Sequence, residues 1–347
     1  MDIAVVALSQ IGRAAEKTAT KKPTLADLRE SGCLSAYTKI KCPHLNKTFR
    51  IKDLVDRNNF NIFATDFKNI KIMNAKKCFK SGKKECFEVT LINGQKIELT
   101  KNHKLLSVNG WTELSKLNIG NKIAIPINYD NNSNNEISNE EISLIGHFLS
   151  NGCALKGRTI QYTHNVIDDD LTLRVMSDAI IATNDMVKPY FKDTITEKSR
   201  FRNIFFKPKN HLTHRVTHPI ADILRKYNLF DVRTKQKSIP DRFFYLSHSQ
   251  IFILLKSLFT GDGTIYYQEK NGRKSLKISY SSASEELILG IQELLAKIGI
   301  VSFFNKITNK KNQSWYYLYI SGKSNTQIFV EKIGFWNQRK NSQMLNG

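Results

Sequence analysis

Two similar nonapeptides restrict how this chain can fold. Leu144-Ile145-Gly146-His147-Phe148-Leu149-Ser150-Asn151-Gly152 and Leu255-Lys256-Ser257-Leu258-Phe259-Thr260-Gly261-Asp262-Gly263 lie 111 positions apart (255 − 144). Each reads as the end of an apolar helix that closes on a polar or acidic residue and a glycine. Gly146 and Ser257 occupy the same place in the two copies, and small residues there let two helix backbones approach closely. The terminal glycines are expected to cap their helices in the left-handed region. The repeat therefore predicts a helix pair that sets residues 151 and 262 side by side.

The 347 residues favour two or three domains, and 41% hydrophobic content is enough for real cores. From Cys33 to Pro126 the chain alternates short β-like runs with turns. Phe87–Leu91, Asn93-Gly94 and Lys96–Leu99 predict a hairpin with a type I′ turn, and Asn109-Gly110 ends another strand. After the polar segment around 128–135, longer apolar periodicities at Ile142–Leu149, Ile220–Tyr227, Gln250–Phe259 and Glu285–Ile298 predict an α+β module.

The formal charge of +22 points to a phosphate-bearing partner, with double-stranded DNA the first to suspect. Residues 186–238 hold 13 Lys or Arg against 4 Asp or Glu, with Tyr190, Phe191 and Phe205 among them. A basic β-ribbon of this kind can lie in the major groove. No apolar stretch of about 18 residues and no signal peptide is evident, which reads as an intracellular protein without a membrane partner. Five cysteines (Cys33, Cys42, Cys78, Cys86, Cys153) form no C-x-x-C pair, so neither a zinc site nor a disulfide framework is indicated. His211, His214 and His218 are spaced for a metal on a helix, but Pro219 and β-branched neighbours make them surface histidines.

Cys33 follows Gly32 where the composition changes character, and Thr100-Lys101-Asn102-His103 lies downstream. A thiol at such a seam, with a histidine to reach it, suits attack on its own upstream peptide bond. His103 suits proton delivery to the leaving nitrogen, and Thr100 suits either holding the scissile peptide or stabilising the oxyanion. The segment from CLSAYTKIKCP to LTKNHKLLSVNGWTELSKLNIGNKIAIP resembles the N-terminal splicing half of an intein. The resemblance implies that Cys33, Thr100 and His103 carry an N-to-S acyl shift. An intein ends in His-Asn before Cys, Ser or Thr, whereas this sequence ends SQMLNG with no histidine after His248. The resemblance thus implies that the C-terminal splicing strand is missing, and admits a separate C-terminal splicing fragment as partner.

Residues 1–32 carry ALSQ and LADLRESG, and resemble a piece of a DnaB-type replicative helicase. Ile3–Leu8 reads as a strand and Thr24 as the start of a short helix. No G-x-x-x-x-G-K-[ST] phosphate loop occurs in the chain, so ATP hydrolysis is not credited to it. The two nonapeptides, with Lys237-Ser238-Ile239-Pro240 between them and SSASEELILGIQELLAKIG after them, resemble a LAGLIDADG homing endonuclease of the kind embedded in inteins. In that resemblance Asp262 and Asn151 are the metal-facing pair for Mg2+, and Lys237 is the charge stabiliser near the reacting phosphate. Asn151 stands where the pattern has an acid, so an amide replaces a charge.

The expected fold class is a mainly β Hint/intein splicing module plus an α+β LAGLIDADG endonuclease with two pseudo-symmetric halves. The expected domains are 1–32 (helicase flank), 33–127 (splicing), 128–135 (linker), 136–335 (endonuclease) and 336–347 (truncated end). The DNA partner implied is the uninterrupted helicase insertion site. Abundant Asn, Lys and Ile suggest an AT-rich genome, hence a bacterial cytoplasm or an organelle such as a plastid. Two alternatives stay open: a DNA-binding or nicking protein with a vestigial splicing half, and a helicase fragment without its own ATPase site.

Overall fold

The computed structural model describes residues 4–5, 33–65, 69–129, 136–210, 217–310 and 312–345. The chain forms two compact units, 1–131 and 132–347.

The first unit is built of antiparallel pairs. Strand β1 (Ala4–Val5) pairs with β6 (Phe79–Lys80), β2 (Lys39–Cys42) with β3 (Lys47–Arg50), and β4 (Asn58–Thr65) with β5 (Ile70–Lys77). The pairs β7 (Phe87–Thr90) with β8 (Lys96–Leu99) and β9 (Lys104–Ser107) with β10 (Gly110–Glu113) complete the described strands. Ala4 and Val5 are the described part of the expected first strand; the rest of it, and the helix expected near Thr24, lie outside the described residues. The core gathers Leu34, Ile51, Leu54, Phe60 and Leu99. Cys78 is packed into it, and burial pushes its thiol up to about 11, which keeps it unreactive.

The hairpin at Asn93-Gly94 forms, but its turn is not type I′. Gly94 alone has positive φ (89°), and the Gly94 amide donates to the Leu91 carbonyl at 2.9 Å while the Leu91 amide donates to the Gln95 carbonyl at 2.8 Å. This is a three-residue loop with one left-handed glycine, and it leaves Asn93 free of the strain that a I′ turn would impose.

The second unit repeats one plan twice. Its first half runs α1 (Asn139–Ser150), β11 (Gly152–Cys153), β12 (Gln161–Asn165), α2 (Asp169–Ala182), β13 (Val187–Ile195), β14 (Arg200–Pro208) and α3 (Pro219–Lys226). The second half runs α4 (His248–Asp262), β15 (Gly263–Lys270), β16 (Arg273–Ser282), α5 (Glu285–Lys297), β17 (Ser302–Thr308), β18 (Ser314–Ile320) and α6 (Lys323–Ile328). The sheet orders β11-β12-β14-β13 and β15-β16-β18-β17 are the same permutation of strands. Serine hydroxyls of Ser138, Ser247 and Ser284 accept from amides in the first turns of α1, α4 and α5 and fix where these helices start. A further helix, α7 (Gln338–Leu345), packs into this unit, so its fold extends past residue 335: Tyr267 donates to the Met344 carbonyl at 2.7 Å, and Arg339 grips Asp168 through both carboxylate oxygens.

Helices α1 and α4 cross at the repeat. A Cβ added at Gly146 would lie 2.6 Å from Ser257 Cβ, and one at Gly261 would lie 2.5 Å from Ser150 Cβ. Positions 146 and 257 are equivalent in the repeat, as are 150 and 261, so each contact joins a position to its own counterpart across a pseudo-twofold axis. Gly146→Ala is accordingly expected to cost about 1–3 kcal/mol by overpacking, because the Leu254 carbonyl oxygen, also 3.0 Å from that Cβ, belongs to backbone. A urea titration of the purified chain measures it.

The terminal glycines act differently from the expectation. Gly263 is extended (φ −79°, ψ 147°), and neither it nor Gly152 has positive φ. Both open the next strand, and the need for glycine there is steric: a Cβ on Gly152 would come 2.5 Å from Phe148 Cα, and one on Gly263 2.3 Å from the Phe259 carbonyl oxygen.

Behind this crossing, His147 is fully buried, with Asp178 Oδ2 3.7 Å and Ser143 Oγ 3.4 Å from its Nε2. Burial holds its pKa down, more than the neighbouring Asp178 raises it; burial likewise lowers that of His164. Both groups therefore bind fewer protons folded than unfolded, and stability rises with pH through their range. The second unit is expected to be fully stabilised above the unfolded histidine pKa of about 6.5 and to weaken steadily as pH falls below it. His147→Gln should flatten that slope, read from denaturation midpoints between pH 5 and 7.5.

Candidate functional site

Two sites are assembled, one in each unit. In the first, the strand leading to Thr100 lies beside Leu34, and Leu34 bridges Leu99. The Cys33 amide donates to Thr100 Oγ1 at 2.8 Å, and the Thr100 amide donates to the Cys33 carbonyl at 2.9 Å. The Thr100 hydroxyl in turn donates to Asn102 Oδ1 at 2.7 Å. The same hydroxyl lies 3.4 Å from the Cys33 carbonyl, a longer contact than the one to Asn102, and an oxygen lone pair is left for the Cys33 nitrogen. The His103 amide donates to the Thr100 carbonyl at 2.9 Å, so His103 closes the same turn. The Cys33 sulfur, 1% exposed as a residue, accepts from Lys84 Nζ at 3.2 Å and lies 3.4 Å from Ser81 Oγ. The pattern Thr-x-Asn-His contained Asn102 in plain view; Ser81 and Lys84 come from a lysine-rich loop that no motif marked.

In the second unit, Asn151 follows the last residue of α1 and Asp262 is the last residue of α4, and the Asn151 amide lies 3.3 Å from where a Gly261 Cβ would be. Lys237, largely buried, donates to the carbonyls of Phe148, Ser150 and Gly152 at 2.7, 3.0 and 3.0 Å. Its backbone is pinned in turn, for Ser284 donates to the Lys237 carbonyl at 2.6 Å. Lys340 of α7 makes the matching set with Phe259, Gly261 and Gly263 at 3.3, 3.5 and 2.7 Å, and adds Thr260 at 2.7 Å. These carbonyls stand 111 positions after those of Lys237, so the two lysines are counterparts. Burial brings both ammonium groups down to about 8, against the pull of Asp262. Burial raises the Asp262 carboxyl, while Lys237, Lys340 and the Tyr280 hydroxyl lower it.

Tyr162 and Tyr280 are also counterparts, since each is the strand partner of a repeat glycine, Gly152 and Gly263. Both are fully buried, and burial drives their phenol pKa values far up, so both stay protonated. The site is thus a near-symmetric frame around an asymmetric pair, one carboxylate and one amide. Lys340 lies beyond the expected domain end at 335, and neither it nor the tyrosines were marked by the sequence. Among the described residues no three of His, Cys, Asp and Glu converge as metal ligands. His218 caps α3, its Nδ1 accepting from the Ile220 amide at 3.2 Å; His211 and His214 lie outside the described residues.

The family model described as LAGLIDADG-like domain matches residues 249–334, and that of the DnaB-like helicase C-terminal domain matches residues 1–42. The second match runs across the Gly32–Cys33 seam. Replicative DNA helicase DnaB of Synechocystis sp. (strain ATCC 27184 / PCC 6803 / Kazusa) is 33% identical over 98% of this chain. The chain belongs to the inteins that carry a LAGLIDADG endonuclease and interrupt DnaB-type helicases. This intein spans 38% of the length of that helicase. A solved structure of a DnaB intein from Synechocystis sp. PCC 6803 is 31% identical, covering 28% of this chain and 70% of that one, with a TM-score of 0.27. The structure of I-DmoI in complex with DNA and Mn is 14% identical, covering 57% of this chain and 97% of that one, with a TM-score of 0.37. With antiparallel β pairs in the first unit and a twice-repeated helix-and-sheet plan in the second, the intein's fold class is a mainly β Hint-type splicing module plus an α+β LAGLIDADG endonuclease.

Proposed function

We propose that the first unit performs the N-terminal step of protein splicing, an N-to-S acyl shift at Gly32–Cys33. The observation that carries this reading is the hydrogen bond from the Cys33 amide to Thr100 Oγ1. The nitrogen that must leave is held by an oxygen lone pair, which fixes the orientation of the scissile peptide beside the Thr100 turn. His103, in the same turn, supplies the proton to that nitrogen. Completion of splicing needs a His-Asn end and a following nucleophile, in cis or on a separate C-terminal splicing fragment. Incubating the purified chain with dithiothreitol tests the step: the released fragment should have the mass of residues 1–32 carrying the thiol at its end.

For the second unit we propose binding to double-stranded DNA at the uninterrupted helicase insertion site, with nicking in place of double-strand cleavage. Asp262 would hold a magnesium ion through its carboxylate and Asn151 through its amide oxygen; phosphate and water would provide the other ligands. One carboxylate and an amide fit one such ion and do not fit a second. Magnesium, when bound, activates water and neutralises the leaving oxygen. Lys237 and Lys340 fix the two helix ends and set a positive field around Asp262.

Affinity for that DNA should fall steeply with salt as Lys and Arg displace counterions from phosphates. A gel-shift series from 50 to 200 mM salt measures it, and a flat response would reduce the basic strands β13 and β14 to a solubilising face. Among the described residues no helix is long and apolar enough to cross a membrane. The replicative-helicase relative from Synechocystis favours a bacterial setting over a plastid.

A further inference from the structure

We propose that Lys84 activates the Cys33 sulfur as a nucleophile, holding its ammonium against that atom as it gives up its proton. Its purpose rests on the splicing reading, while the contact rests on geometry alone. Lys84 Nζ donates to Cys33 Sγ at 3.2 Å, and Ser81 Oγ lies 3.4 Å from the same sulfur. Both residues come from the loop 81–86 between β6 and β7, so one loop brings a cation and a hydroxyl to the sulfur, while the turn after β8 brings Thr100 to the nitrogen of the same residue. The two atoms of Cys33 that must react are thus held by different elements.

Cys33 is buried, and a cation and a hydroxyl reach its sulfur there. Lys84 itself is exposed. The other titratable groups around it do not replace that charge. Cys86 of the same loop has its pKa raised by burial first, then by Cys33 and Glu98, and remains a neutral thiol. His103 belongs to the Thr100 turn, its amide donating to the Thr100 carbonyl.

In the step itself the sulfur proton passes to solvent, and the thiolate electron pair forms the bond to the Gly32 carbonyl carbon. The bond from that carbon to the Cys33 nitrogen breaks, and the nitrogen takes up a proton to leave as an amine. Lys84 keeps its protons throughout. Its hydrogen bond to sulfur is strongest before attack and fades as the sulfur becomes a neutral thioester.

The test uses the intact chain in two assays across pH 6 to 9. One is alkylation of Cys33 by iodoacetamide, read from the mass of the Cys33 peptide; the other is dithiothreitol cleavage at Gly32–Cys33. Lys84→Met should slow both about tenfold at neutral pH, the equivalent of one pH unit, and shift both profiles to higher pH. Lys84→Arg should restore most of the rate. An unchanged alkylation profile in Lys84→Met, or a Lys84→Arg chain as slow as Lys84→Met, overturns the proposal. If the unsubstituted chain does not cleave while alkylation still depends on Lys84, the splicing reading falls and the activation of Cys33 stands. Because Lys84 is exposed, its replacement should leave the circular dichroism spectrum and denaturation midpoint of the chain as they were.

Discussion

Thr100→Val is expected to slow thiol-induced cleavage at Gly32–Cys33 by about 10²-fold, the size of effect that loss of reacting-group alignment brings, and Cys33→Ala is expected to abolish it. Valine keeps the shape of threonine and removes the acceptor that the Cys33 amide uses. Thr100 is buried, so the amide is left without that partner in a place water does not easily reach. That costs about 1–3 kcal/mol of stability as well, which a denaturation curve separates from the kinetic effect. Asn102→Ala should act through Thr100: the hydroxyl loses the acceptor that directs its proton away from Cys33, so cleavage slows while Cys33 alkylation does not. Cleavage at the same rate in Cys33→Ala, judged from the mass of the released fragment, would sink the assignment of the nucleophile.

The repeat was legible because packing two helices around a twofold imposes rules on composition that survive in the sequence. Gly146 faces Ser257 and Gly261 faces Ser150 because backbones that close leave no room for larger side chains. The helices at 139–150, 248–262 and 285–297 showed their apolar periods for the same reason: each has a buried face. Helix 169–182 was missed, since Asp169, Asp170, Thr172, Ser177 and Asp178 interrupt its apolar residues, and two of these, Thr172 and Asp178, are buried through hydrogen bonds. The terminal glycines were assigned the wrong cause. A glycine after a helix serves either a left-handed cap or a close contact, and only coordinates distinguish φ +60° from φ −79°.

Within the sites, what sequence hid was any contact made by an ordinary lysine. Lys84 sits in KSGKKEC and Lys340 in QRKNSQML, neither of which has a motif or an apolar period, and 53 lysines and arginines in the chain supply no way to single them out. Their roles follow from what folding places opposite them: a sulfur for Lys84, and the carbonyls at a helix end for Lys340. Lys237 was legible through its neighbours Ser238-Ile239-Pro240. Its structural surroundings add something the resemblance did not imply, three hydrogen bonds that occupy its ammonium at the end of α1.

Asn151→Asp should turn nicking into linearisation, and Asp262→Asn should remove nicking altogether. The frame around the two positions is close to symmetric: a clamping lysine, a buried tyrosine and a strand-opening glycine on each side. The chemistry is not symmetric, because the carboxylate of Asp262 faces two ammonium groups and Asn151 adds no charge. An acid at 151 would meet Lys237, whose ammonium already lies at the end of that helix, so its ionised form would be balanced and a second magnesium ion would gain a charged ligand. Asp262→Asn instead leaves Lys237 and Lys340 buried with no carboxylate between them, which repels a cation outright. Loss there should exceed the roughly 10- to 100-fold that removal of a supporting residue brings. Supercoiled plasmid bearing the uninterrupted helicase site, incubated with magnesium and then manganese, reports both outcomes as open-circular and linear DNA. Efficient linear product from the unsubstituted chain would show that Asn151 does not occupy a metal position. Lys340→Met provides the control on symmetry: if the two lysines are counterparts in function as in contact, it should depress nicking as Lys237→Met does.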